Sequence, residues 1–200
     1  MSKTIQYFFA PHSPWAYLGH ERLLKLGVQY GAMIEPKPVD LGAVFSETGG
    51  LPLAKRPPAR QAYRLQELKR WSDFAGLPLN LHPKFFPVDP LPAALLLVAA
   101  REEKGSDQAL ALAGAVMRAV WVEEQDIADA ATLAQLADDA GFDGAALVAA
   151  AKDPAARQVL EGFTKEALDA GVFGSPWYLV EGQGFWGQDR LDFVERLLQA

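Results

Sequence analysis

Cysteine is absent from the 200-residue chain. That excludes disulfides, thiolate metal sites and any dithiol redox chemistry carried by the chain itself. Histidine is scarce: His12, His20 and His82 share no metal-ligand spacing, so no metal site is expected. Positive charge is in the minority. A net charge of −6, with Lys55-Arg56 and Lys69-Arg70 only as isolated basic pairs, argues against a nucleic-acid surface. Long apolar runs are missing too. The most apolar stretch, Leu91 to Ala100, holds Pro92, ends in Arg101-Glu102-Glu103-Lys104 and is too short to span a bilayer, so it reads as a buried helix. Met1-Ser2-Lys3-Thr4 leads into a strand without a leader pattern, and the expected location is the cytoplasm.

What is present suffices for one large domain, since 50% of the residues are hydrophobic. The organising stretch runs from Gln6 to Leu18. Tyr7, Phe8 and Phe9 are β-formers in a short apolar run, Pro11 ends it, and Ser13 then offers an N-cap with Pro14 at the first helical position. A hydroxyl at a helix N-terminus, just past a strand, is where backbone N–H groups and the helix dipole favour an anion, such as a thiolate. The same residue also serves as a plain cap.

Gly31 closes this helix, and residues 33–39 form a second strand whose prolines suit an edge. So short a crossover makes the two strands parallel. Residues 40–60, rich in Gly and Pro, read as a loop carrying Lys55, Arg56 and Arg60, either functional or simply solvated. A helix over 60–75 and an irregular, proline-rich stretch over 77–88 with Phe85-Phe86 follow. From 91 to 170 the chain reads as helix throughout: 92–104, 106–122, 130–140, 144–151 and 154–170, with Gly105, Gly141 and Gly171 at ends. The tail returns to β, with a strand over 177–180, a hairpin turn over 181–184 and a second strand at Phe185-Trp186. A last helix over 191–198 is capped by Asp189.

A terminal hairpin cannot stand alone, and its natural partners are the two N-terminal strands. The expected fold is α/β: a thioredoxin-like four-stranded mixed sheet with a large all-helical insertion. Residues 1–40 and 172–200 make the discontinuous thioredoxin-like domain, and 41–171 a loop plus helical insertion subdomain.

Three motifs carry a resemblance over essentially the whole chain: Phe8 to Leu18 with Ser13-Pro14-Trp15-Ala16, Gly171-Val172-Phe173-Gly174-Ser175-Pro176, and Phe185-Trp186-Gly187-Gln188-Asp189-Arg190-Leu191. The sequence resembles the 2-hydroxychromene-2-carboxylate isomerases, relatives of kappa-class glutathione transferases and of DsbA-type proteins. The resemblance implies glutathione as cofactor, with Ser13 as the catalytic residue facing its sulfur. It implies a cis Pro176, with Ser175 pairing to the cysteinyl unit. Trp186, Gly187, Gln188 and Asp189 would hold the γ-glutamyl end, and Arg60 a glutathione carboxylate. Asp189 as a simple N-cap is compatible with that role, and Pro176 alone reads as an ordinary strand-start proline. The implied substrate pocket for an aromatic small molecule draws on Phe45, Lys55, Arg56 and Phe85. The relatives are dimers, so a homodimer is expected. Ala16 stands where redox relatives have a resolving cysteine, and Gly50 where transferase relatives often have Asn. The expected activity is glutathione-dependent cis–trans isomerisation of an unsaturated aromatic carboxylate. The alternatives are a kappa-like transferase or peroxidase, or a non-catalytic peptide-binding module.

Overall fold

The computed structural model describes residues 3–200. Its sheet has four strands in the order β2-β1-β3-β4: β1 (Thr4–Phe9), β2 (Met33–Pro38), β3 (Trp177–Val180) and β4 (Gln183–Trp186). β1 runs parallel to β2 and antiparallel to β3, with Phe8 opposite Lys37 on one side and Trp177 on the other. The prolines of β2 therefore sit on an edge, where a missing N–H breaks no ladder. Glu181 and Gly182 turn the β3–β4 hairpin, both at positive φ (49° and 76°), as a two-residue hairpin turn demands. The turn is thus tighter than the four residues expected, and Gln183 and Gly184 belong to β4.

Alternation along β1 divides the sheet's two faces. Ile5, Tyr7 and Phe9 join the main core with α1 (Pro14–Tyr30), α4 (Leu91–Trp121) and α8 (Leu191–Gln199). Phe8 points the other way, onto Val39, Val172, Trp177 and Ala167 of α7 (Pro154–Asp169). Buried Lys37 of β2 meets Glu166 of α7 on that second face. The main core continues from the sheet into the helical insertion: Ile5 and Tyr178 share it with Leu96, Trp121, Leu133 and Phe142.

α1 begins and ends as its sequence dictates. Ser13 caps it by accepting from the Ala16 N–H at 3.2 Å, and Gly31 closes it in the left-handed region at φ 60°. Gly105, at φ 82° and ψ −176°, interrupts α4 where the sequence breaks it. α5 (Ala130–Asp139) and α6 (Gly144–Ala150) start on the side chains of Asp129 and Asp143.

Two further expectations need correction. Residues 40–60 are not a plain loop. Asp40 accepts from the N–H groups of Gly42 and Ala43 and starts α2 (Leu41–Thr48), which Gly49 ends at φ 77°, and a single 3₁₀ turn covers Leu53–Lys55. α3 (Pro58–Ala75) follows. Nor does Asp189 cap the last helix. Gly187, at φ 98°, turns the chain into a 3₁₀ turn, Gln188–Arg190, and Arg190 stands at the N-cap of α8 without a side-chain bond.

Candidate active site

Ser13 is buried between the end of β1 and the chain entering β3. Its hydroxyl donates to the Ser175 carbonyl at 3.4 Å, while the Ser175 hydroxyl accepts from the Ala10 N–H at 2.9 Å. The Ser175–Pro176 peptide bond is cis. The Pro176 carbonyl accepts from the Gly187 N–H at 2.9 Å. Segments remote in sequence are thereby laced together by backbone and hydroxyl groups: the turn at 10–13, the turn at 175–176 and Gly187.

The start of α1 is unneutralised. Its first turn carries no acidic side chain, Pro14 has no N–H to offer, and the Ala16 and Tyr17 N–H groups are taken by Ser13. The Trp15 N–H makes no hydrogen bond among the described residues. A hydroxyl engaged at 3.4 Å, near the outer limit for O–H···O, is easily redirected to a better acceptor. An anion at this point would meet an open N–H, a movable O–H and the positive end of a helix dipole.

Behind α1, neutral polar rings fill the space. Tyr7 stacks on Phe9 at 4.4 Å and on Tyr178 at 5.5 Å, with His20 6.0 Å away. Burial, and then the neighbouring Tyr178, raise the Tyr7 hydroxyl well above its ordinary range; burial also raises that of Tyr178. Burial lowers His20 to about 4 against the weaker pull of its bond to Leu110. Burial therefore keeps the ring neutral at physiological pH, and its Nε2–H donates to the Leu110 carbonyl at 3.0 Å. Gly19 admits this arrangement: a Cβ there would lie 2.7 Å from Gln188 Cβ and 2.9 Å from the Tyr178 hydroxyl.

The tail residues are distributed as follows. Gln188 is buried against α1. Asp189 gives one oxygen to Arg190 Nη1 at 2.8 Å, and its other oxygen lies beside Gly187. Half-exposed Trp186 stacks edge-on with Phe173 at 4.9 Å and leaves room only for glycine at 174, where a Cβ would be 2.4 Å from its Nε1.

The residues expected on the substrate side are more scattered. Phe45 lies on α2 with its ring covering Gly50. Lys55 and Arg60 are exposed. Arg56 is half-buried, anchored by its Nε to the Leu51 carbonyl at 2.8 Å; burial and then the Arg60 charge lower its pKa. Half-buried Phe85 lines a groove of about 450 Å³ with Phe86, Val88, Asp89 and Asp126, under the Lys84 ammonium.

Sequence reasoning passed over a second cluster. Arg64 of α3 sits over the rings of Phe86 (5.4 Å) and buried Trp121 (5.8 Å), and the imidazole of His12 flanks Phe86 at 6.4 Å. Burial, with Arg56 second, pushes Arg64 down to about 10, still cationic at neutral pH. Burial lowers His12 to about 4, opposed by Asp89 and assisted by Arg64. The sequence offered little signal: of Arg56, Arg60 and Arg64, only the last two share α3, four residues apart on one side.

The family model described as the DSBA-like thioredoxin domain matches residues 4–199. The chain is 32% identical over 199 residues to 2-hydroxychromene-2-carboxylate isomerase from Sphingobium xenophagum, covering 99% of each. It is 26% identical to glutathione S-transferase kappa 2 of Caenorhabditis elegans, over 98% of this chain and 92% of that one. Among solved structures, a selenomethionine form of 2-hydroxychromene-2-carboxylate isomerase superposes with a TM-score of 0.84 at 26% identity, covering 98% of this chain and 94% of the other.

Proposed function

We propose, from the premise that this chain belongs to the DSBA-like thioredoxin domain family, that it is a glutathione-dependent cis–trans isomerase of an unsaturated, carboxylate-bearing aromatic substrate. One observation carries the reading. A hydroxyl, and not a thiol, stands at the unneutralised start of α1 and touches the turn at Ser175–Pro176. With no cysteine in the chain, this site has an anion's surroundings and no sulfur of its own.

The residues fit glutathione by their donor set. The Trp15 N–H and the Ser13 hydroxyl face the place for a sulfur, and the Ser175 backbone faces that for the cysteinyl unit. Asp189 keeps one oxygen beside Gly187 for the γ-glutamyl ammonium. Arg60, exposed at the start of α3, is placed for the tripeptide's far carboxylate. When bound, glutathione supplies the thiolate nucleophile that reversibly saturates a conjugated double bond, so that rotation becomes possible.

Ser13 is too weak an acid to remove a thiol proton. Its part is to turn its O–H from the Ser175 carbonyl to the sulfur, while the dipole of α1 favours the charged form. The neutral rings of Tyr7, Tyr178 and His20 behind it leave that dipole unopposed by any buried charge. Ala16, where a second thiol would be needed, keeps the site from disulfide exchange. On the other flank, Lys55 and Arg56 add positive charge that draws an acidic substrate, and Phe45 and Phe85 supply apolar walls.

The test is calorimetry with glutathione on the wild-type protein and on Asp189→Ala, with isomerase turnover of an aromatic enone carboxylate assayed alongside. Losing a charge-assisted contact weakens binding by about tenfold or more. Equal, weak heats from both proteins would remove the reading.

A further inference from the structure

Phe86 separates two environments. On one side lies the groove lined by Asp89, Asp126 and Lys84, where the carboxylates outnumber the cation. On the other lies Arg64, half-buried over two aromatic rings and, among the described residues, without a carboxylate partner. Half-buried cations are ordinarily paired, because desolvation without a counter-charge is unfavourable. The charge of a second cation, Arg56, acts on Arg64 and worsens the imbalance. Hydrogen-bonding capacity is also left over at the same spot. His12 Nδ1 and Trp121 Nε1 are both buried and have no partner among the described residues. The next residue after His12 is Ser13.

We propose that Arg64, beside His12 and Trp121, is the residue that recognises the carboxylate of the aromatic substrate, with Phe86 as the stacking wall. The inference deepens the isomerase reading and rests on it for the identity of the ligand. An aromatic acid suits the cluster because its ring matches Phe86 and its carboxylate matches a planar guanidinium that can bind both oxygens at once. Arg64 is thus a binding residue distinct from Lys55, Arg56 and Arg60, the cations that the sequence offers first. Bound this way, the acid extends from Arg64 along Phe86 and past His12 toward Ser13.

The experiment compares benzylidenepyruvate with its methyl ester, read by quenching of tryptophan fluorescence on the wild-type protein, Arg64→Gln and Arg64→Lys. The wild type should bind the acid about tenfold or more tightly than the ester, the loss expected for an uncompensated charged hydrogen bond. Arg64→Gln should abolish that preference and Arg64→Lys should keep part of it. Equal binding of acid and ester by the wild type overturns the proposal, and this comparison needs no variant to fold. Binding of neither overturns it too, as does a preference that survives in Arg64→Gln. Calorimetry with glutathione on the same samples separates the two claims. Glutathione affinity falling in Arg64→Gln as far as acid affinity assigns the arginine to the cofactor and overturns the proposal. A wild type that binds the acid through Arg64 but takes up no glutathione sinks the isomerase reading and leaves the carboxylate subsite standing.

Discussion

On one flank of Ser13 the contacts are made by main chain and serine hydroxyls: Ser13 to the Ser175 carbonyl, the Ala10 N–H to Ser175, and the Gly187 N–H to the Pro176 carbonyl. On the other they are made by side chains: Arg64, Phe86, Trp121 and His12, drawn from α3, the 77–90 segment, α4 and the turn before α1. The first flank is held by hydrogen bonds in which every contact has a main-chain partner and two also need a serine hydroxyl. The second is held by ring contacts and an unshared charge, so a single substitution can recast it. On the proposed function, the fixed half would take the tripeptide and the recastable half the aromatic substrate.

Substitutions can break this comparison or sharpen it. The largest effect is expected at Ser13, where the flanks meet. Ser13→Ala should lower turnover about a hundredfold, as loss of one preorganised donor does. The absorbance-detected pKa of bound glutathione should rise with it. The cap is lost as well, and the melting temperature should register about 1 kcal/mol. Unchanged turnover would mean that the hydroxyl serves only the helix.

Gly187→Ala attacks the backbone flank. At φ 98°, with a Cβ placed 2.5 Å from Asp189 Oδ1, the variant should lose about 1–3 kcal/mol in denaturant melts and bind glutathione more weakly. The preference for acid over ester on the far flank should persist. If both flanks fail together, they are one unit and the contrast collapses.

The third test is in pH, where the effect per unit is modest. His20 stands behind the backbone flank with a folded pKa near 4, below its ordinary 6.5. Between those values the unfolded chain binds the extra proton, so this stability is fully present above pH 6.5 and is lost as pH falls toward 4. The slope is about 1.4 kcal/mol per pH unit. His20→Gln should flatten the fall in melting temperature between pH 7 and 5 while leaving the share carried by His12, which is lowered in the same direction. A wild-type melting temperature that does not move over this range would contradict the buried, neutral imidazole.

The backbone flank was legible in the sequence because caps and turns have local grammar. Ser13-Pro14 marks a helix start, Gly31 an end, and Gly174-Ser175-Pro176 a turn at a strand mouth. The same grammar misled at two places. Asp40 and Gly49 are a cap and a stop, yet the glycines and prolines between 42 and 58 hid the short helix they bracket. Asp189 sits where a cap belongs, but the left-handed Gly187 adds a 3₁₀ turn and Arg190 takes the carboxylate. The side-chain flank was opaque for a different reason. Arg64 lies on the polar side of an amphipathic pattern, and Phe86 from the segment after α3 and Trp121 from α4 cover it. That contact is not local, and no periodicity within α3 announces it.

The break at Gly105 bears on how such a pocket changes. An unbroken rod over Leu91–Trp121 would reach about 46 Å at 1.5 Å per residue. Gly105 divides it into an arm whose Ala94 and Val98 brace α7 and an arm that carries Trp121 to the floor beneath Arg64. The elbow therefore sets where the indole lies. A residue placed far from any bound molecule can shift the choice of aromatic acid simply by re-aiming that second arm.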